Sequence, residues 1–138
     1  MPPPTAHDPR THFADREGAL RVTQEAGDIV AISLEGEFDM ATAPKVVDAA
    51  ERALDDRQHL ILDLSDATFI DSSVLNAILA TRKAALARER VVVLQVGTAA
   101  VVERVLELAA IEQVLPRASD RADAVETIHR LVASGDGS

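Results

Sequence analysis

The sequence predicts one α/β domain: a mixed, mostly parallel sheet of four to five strands with about four helices. Three observations carry this. Short apolar runs bounded by polar residues, Leu60-Ile61-Leu62-Asp63-Leu64 and Val91 to Val96, have the form of strands buried on both faces. They alternate with segments whose apolar residues recur at helical spacing, so the order reads ββαβαβα(β)α, which implies right-handed crossovers and helices packed on the sheet. The length of 138 residues suits a single core, and a composition of 47% hydrophobic and 27% charged residues is that of an ordinary globular chain.

Met1-Pro2-Pro3-Pro4 and the polar stretch after it offer little to bury, so residues 1–17 are expected to be a disordered leader, 18–133 the domain and 134–138 a flexible tail. Leu20, Val22 and Gln24 alternate with their neighbours, and Ala26-Gly27-Asp28 supplies turn chemistry before Ile29 to Leu34, which predicts an antiparallel hairpin. Gly36 is expected to end the second strand. Val46, Val47, Ala50 and Leu54 then mark a first helix, with Thr42 as N-cap and Pro44 in the first turn, where its missing N–H costs nothing.

A second helix is expected from about Ser72 to Glu89, with Leu75, Ile78, Leu79 and Leu86 on its buried face. After the strand Val91–Val96, Thr98 can cap a third helix whose apolar stripe is Val101, Val102, Val105, Leu106 and Ala109. Val114 and Leu115 suggest a short edge strand stopped by Pro116. Ser119 or Asp120 then caps a last helix burying Ala122, Val125, Ile128 and Val132.

Several function classes lose ground on composition. There is no cysteine, so thiolate chemistry, disulfides and cysteine-ligated metal are absent, and a reducing, cytoplasmic setting is expected. Aromatic residues are only 2% and the net charge is −9, which disfavours base stacking and contact with phosphates, so no direct nucleic-acid binding is expected. No apolar run reaches the ~18 residues of a membrane span, so no membrane insertion is expected. His7, His12, His59 and His129 are scattered without metal-ligand spacing, and the glycines form no phosphate-cradling motif. Glu35, Glu37 and Asp39 cluster at a strand end, where a solvated turn explains them as well as acid–base chemistry does. The expectation is a chain that is not an enzyme and carries no metal or cofactor.

Asp71-Ser72-Ser73-Val74-Leu75 falls where the loop after the central strand enters the second helix. One reading is an N-cap satisfying free helix N–H groups. Another adds regulation, because a phosphate on a first-turn serine would lie in the positive end of the helix dipole. Both fit the residues.

Phe69-Ile70-Asp71-Ser72-Ser73-Val74-Leu75 resembles the phosphorylation segment of STAS-domain anti-sigma factor antagonists, usually Asp-Ser-Ser-Gly-Leu or Asp-Ser-Thr-Gly-Leu. Three more segments are similar in order and spacing: Gly36 to Pro44, Leu60 to Ser65 and Leu106 to Ile111. The resemblance implies a STAS fold over about residues 19 to 132, with Ser73 as phosphoacceptor and a partner surface drawn from Asp39, Thr42, Asp71, Ser72, Ser73, Val74 and Asn76. Val74 stands where the family usually has glycine. The resemblance further implies that the unphosphorylated chain binds an anti-sigma factor serine kinase, which frees a sigma factor. Phosphorylation at Ser73 then releases the chain, and a phosphatase resets it. The alternative is a constitutive STAS scaffold, stressosome-like or transporter-associated, that binds partners without a phosphate cycle.

Overall fold

Ala19–Gln24 (β1) and Ile29–Phe38 (β2) pair antiparallel across the Ala26-Gly27-Asp28 turn, with Gly27 at φ 68° where a side chain would be strained. The computed structural model describes residues 18–135, so the expected leader 1–17 and tail residues 136–138 lie outside the described residues. From β2 onward each strand is followed by a helix: Ala43–Asp55 (α1), His59–Ile70 (β3), Ser72–Ala87 (α2), Val92–Gln95 (β4), Ala100–Leu108 (α3), Arg117–Ala118 (β5) and Arg121–Ala133 (α4). A 3₁₀ turn, Ile111–Gln113, sits between α3 and β5. The sheet order is β1-β2-β3-β4-β5, parallel from β2 to β5.

Both faces of the central strands are buried, as their unbroken apolar runs require. Val30, Ile32, Leu34, Leu60, Leu62, Leu64, Val92 and Leu94 meet α1, α2 and α3, whose core residues include Val46, Leu54, Val74, Ile78, Val102 and Leu106. The opposite face, with Ile29, Ala31, Ile61, Val91 and Val93, is covered by α4 alone through Ala124 and Ile128. That smaller cover leaves Ser33, Asp63 and Gln95, adjacent in register on the same face, for Arg121 to hold at the start of α4.

Several boundaries differ from the sequence reading. Gly36 does not end β2. At φ 89° it lets the strand run on to Phe38, through register shifts after Ser33 and Gly36 that each give β3 one extra residue against β2. Thr42 and Ala99 stand at the N-caps of α1 and α3, but neither makes a side-chain cap bond, and Thr98 is not the cap. Val114 and Leu115 form no strand. Pairing starts at Pro116, which has no N–H to give but accepts from Leu94 N–H at 2.9 Å, and β5 follows it.

The buried helix faces are also rotated from expectation. In α2 the interior takes Val74, Ala77, Ile78, Thr81 and Ala85, while Leu79 is exposed and Leu75 and Leu86 are half-buried. In α3 Val101 is exposed, as is Ala109 just past its end, and the core contacts fall to Val102 and Leu106 with Val105 half-buried against the core. In α4 the buried residues are Ala124, Thr127 and Ile128, with Ala122 and Val132 exposed. Thr127 is admitted because its hydroxyl donates to the Asp123 carbonyl at 2.7 Å, so no polar atom is stranded.

Candidate functional site

The extra length of β2 and β3 builds the site. Phe38 and Ile70 are register partners at the ends of two parallel neighbours, and both are buried. The residues that follow, Asp39 and Asp71, therefore leave the sheet side by side. The backbone N–H of Met40, from the first loop, favours the charged form of the Asp71 carboxyl in the second.

In the first loop Asp39 folds on itself. Its Oδ1 accepts from Ala41 N–H at 2.9 Å, its own N–H donates to Thr42 Oγ1 at 2.8 Å, and its carbonyl receives Ala43 N–H at 2.8 Å. Asp39 and Met40 remain exposed, Met40 at 77%, whereas Thr42 is buried by these bonds. Thr42 is thus a brace of the loop and not a surface contact.

In the second loop Asp71 is the N-cap of α2, in extended backbone at φ −121°. Its Oδ1 accepts from Ser73 N–H at 2.9 Å, Val74 N–H at 3.3 Å and Ser73 Oγ at 2.5 Å. The Ser73 hydroxyl bond foremost, helped by the Val74, Ser73 and Met40 N–H groups, holds the Asp71 carboxyl below the usual carboxylate range against the opposing effect of burial. Ser73 is half-buried, and Ser72 and Asn76, four apart on α2, are exposed. Val74 has no exposed surface and packs in the large core, so it cannot touch a partner directly. Of the seven expected partner residues, Asp39, Asp71, Ser72, Ser73 and Asn76 lie at the surface of one end of the sheet, and Thr42 and Val74 lie beneath it.

Met40 joins the site without a sequence signal of its own. The repeated pattern of a buried apolar residue followed by aspartate, Phe38-Asp39 and Ile70-Asp71, could have paired the two loops. Among the described residues no group of His, Cys, Asp and Glu could hold a metal ion, and no helix is long and apolar enough to cross a membrane.

A family model, the STAS domain, matches residues 21–124. The chain belongs to the STAS family. Its fold is shared with an anti-sigma factor antagonist from Mycobacterium paratuberculosis, at 24% identity and TM-score 0.66, over 81% of this chain and 94% of that one. It is likewise similar to the anti-sigma factor antagonist SpoIIAA in its unphosphorylated form, at 17% identity and TM-score 0.63, over 83% and 98% of the two chains. The Bacillus cell-fate determinant SpoIIAA in the phosphorylated form matches at 18% identity and TM-score 0.61, over 82% and 99%. No curated protein matches the sequence. The STAS assignment agrees with the five-stranded mixed sheet and four helices, and it gives the two-loop end of this sheet its interest.

Proposed function

We propose that this STAS domain is an anti-sigma factor antagonist switched at Ser73. Unphosphorylated, it binds an anti-sigma factor serine kinase and frees a sigma factor; phosphorylated, it is released, and a phosphatase restores it. The observation that carries this reading is the placement of Ser73 in the first turn of α2, beside the exposed Asp39–Met40 loop, with no cation paired to Asp71 among the described residues. In the transfer step Ser73 Oγ attacks the γ-phosphorus of the kinase's ATP, the bond to the bridging oxygen breaks, ADP leaves, and the hydroxyl proton passes to a base on the kinase. This chain supplies only the acceptor and the docking surface. The acidic balance of the chain, −9 overall, suits a basic partner face.

The Ser73 hydroxyl must first leave its 2.5 Å bond to Asp71. That bond, with Val74 rigidly packed where the family usually has glycine, favours the second reading, a constitutive STAS scaffold of stressosome-like or transporter-associated type. Incubating the chain with ATP and candidate anti-sigma factor kinases, followed by intact mass, separates the two. The switch predicts one added phosphoryl group in the wild type and in Ser72→Ala, and none in Ser73→Ala. An unmodified wild type that still binds the kinase would establish the scaffold.

A further inference from the structure

We propose that the cleft at the far end of α2 is a second binding site, for a small carboxylate with an apolar tail. This site lies about 20 Å along the helix from Ser73, since Leu86 is thirteen residues further on, and the proposal does not depend on the switch. The cleft has a volume of about 290 Å³ between the last turns of α2, the 3₁₀ turn and the start of β4. That is near the lower end of small-molecule sites, roughly 300–1,000 Å³.

Its floor is apolar, built from Ala85, Val91, Val92 and Leu115. A main-chain donor lies open in it. In a parallel ladder alternate residues of a strand face opposite neighbours. Leu60 N–H bonds to the Val91 carbonyl, so Val91 and Val93 face β3, while Leu94 and Val96 donate to Pro116 and Ala118 on the β5 side. Val92 also faces the β5 side. The carbonyl that would continue this side of the ladder, that of Val114, receives Arg82 Nε at 2.8 Å instead, and Pro116 has no N–H to offer the Val92 carbonyl. Among the described residues Val92 N–H has no partner on that edge, and the residue as a whole is 5% exposed. An unpaired buried N–H is costly unless a ligand or water satisfies it.

The rim selects the sign of that ligand. Arg82 and Arg90 both line the cleft. With Nε of Arg82 given to Val114, its two terminal nitrogens have no protein acceptor among the described residues. Arg90 reaches the Arg57 carbonyl at 3.4 Å and Asp28 at 3.8 Å through Nη1 and the Arg88 carbonyl at 3.5 Å through Nε, and its Nη2 has no acceptor among the described residues. Glu112, the acid on the rim, leans to Arg117 at 3.8 Å. Two guanidinium groups and a main-chain N–H over an apolar floor recognise a carboxylate whose tail the floor can cover.

The test is titration of the full chain with octanoate, 1-octanol and acetate, followed by the Val92 amide resonance and by calorimetry. Octanoate is expected to saturate and move the Val92 amide, with octanol and acetate at least tenfold weaker. Arg82→Gln should weaken octanoate about tenfold, the loss of one charge-assisted bond. Glu112→Gln, an exposed change that leaves the fold alone, should tighten it about twofold. Equal binding of octanol and octanoate, no saturable binding, or indifference to both substitutions would overturn the proposal.

Discussion

The same local device occurs twice, once within β3 and once just beyond its end, with opposite surroundings. Asp63 accepts from Ser65 N–H at 2.8 Å and Ser65 Oγ at 2.5 Å; Asp71 accepts from Ser73 N–H at 2.9 Å and Ser73 Oγ at 2.5 Å. Asp63 is 5% exposed, and its second oxygen receives Arg121 at 2.6 Å and Ser33 Oγ at 3.3 Å. Arg121 in turn holds Glu25 at 2.8 Å and Gln95 at 2.8 Å. Ser65 is closed in from the other side by Gly97, where a Cβ would stand 2.8 Å from the Ser65 carbonyl. Asp71 has no cation among the described residues, and its serine faces the open end of the sheet. The Asp-x-Ser pattern therefore makes the same carboxylate–serine contact within a strand and at a helix N-terminus, and tertiary packing decides whether the carboxylate is also locked to a cation.

The largest stability effect that follows is at Asp63. Asp63→Ala would strip Arg121 of its shortest partner in a largely buried network. Breaking a fully buried pair costs about 3–5 kcal/mol, and the partial exposure of Arg121 brings the expected loss to about 3 kcal/mol in chemical denaturation. Asp71→Ala removes only a helix cap, about 1 kcal/mol. Equal losses at the two sites would break the contrast. Val74→Gly lies between them: it deletes a wholly buried side chain and introduces glycine in a helix, an expected cost of about 2–3 kcal/mol in the same measurement.

pH sharpens the comparison further. Asp63 is pulled upward by burial but brought below its ordinary value by Ser65 and Arg121, and Asp71 is lowered chiefly by Ser73. For both, the stabilisation is present above the unfolded carboxyl value of about 3.9 and is lost as pH falls through the lower folded value. Stability differences between wild type and Asp63→Asn or Asp71→Asn should shrink at the acid end. At the other end of β3, His59 is lowered first by burial and then by Arg90 and His129, against Asp28, and its Nδ1 accepts Val91 N–H at 3.0 Å. A histidine kept neutral in the fold loses its contribution as pH drops below about 6.5, so a small decline between pH 7 and 5 should be absent in His59→Gln.

The architecture was legible because apolar runs and helical spacing survive without context. The hairpin turn at Gly27, the β2–α1 loop and the Asp71 cap all stand where local chemistry placed them. What was hidden depends on partners distant in sequence. Ser65 to Phe69 alternates like a loop, and only pairing with β2 through two bulges makes it strand. The face of α2 was misjudged because apolar residues surround the helix, and small Ala77 and Ala85, not Leu79, face the core. Helices α1 and α2 end with Arg57 and Glu89 in the left-handed region, at φ 61° and 57°, so no glycine announces either end. At the site, Ser73 and Asp39 could be named from the sequence, but the burial of Thr42 and Val74 and the side-by-side exit of the Asp39 and Asp71 loops come from the register of β2 on β3.

The central proposal is that a phosphate on Ser73 controls partner binding. It is tested most directly by calorimetric titration of the anti-sigma kinase with unmodified, Ser73-phosphorylated and Ser73→Ala chains. Phosphorylation adds −1.5 to −2 charges beside Asp71. Burying them uncompensated in the interface should cost about 3–5 kcal/mol, a loss of roughly two to three and a half orders of magnitude in affinity, while Ser73→Ala binds like the unmodified chain. Comparable affinities for the unmodified and phosphorylated chains would contradict the switch.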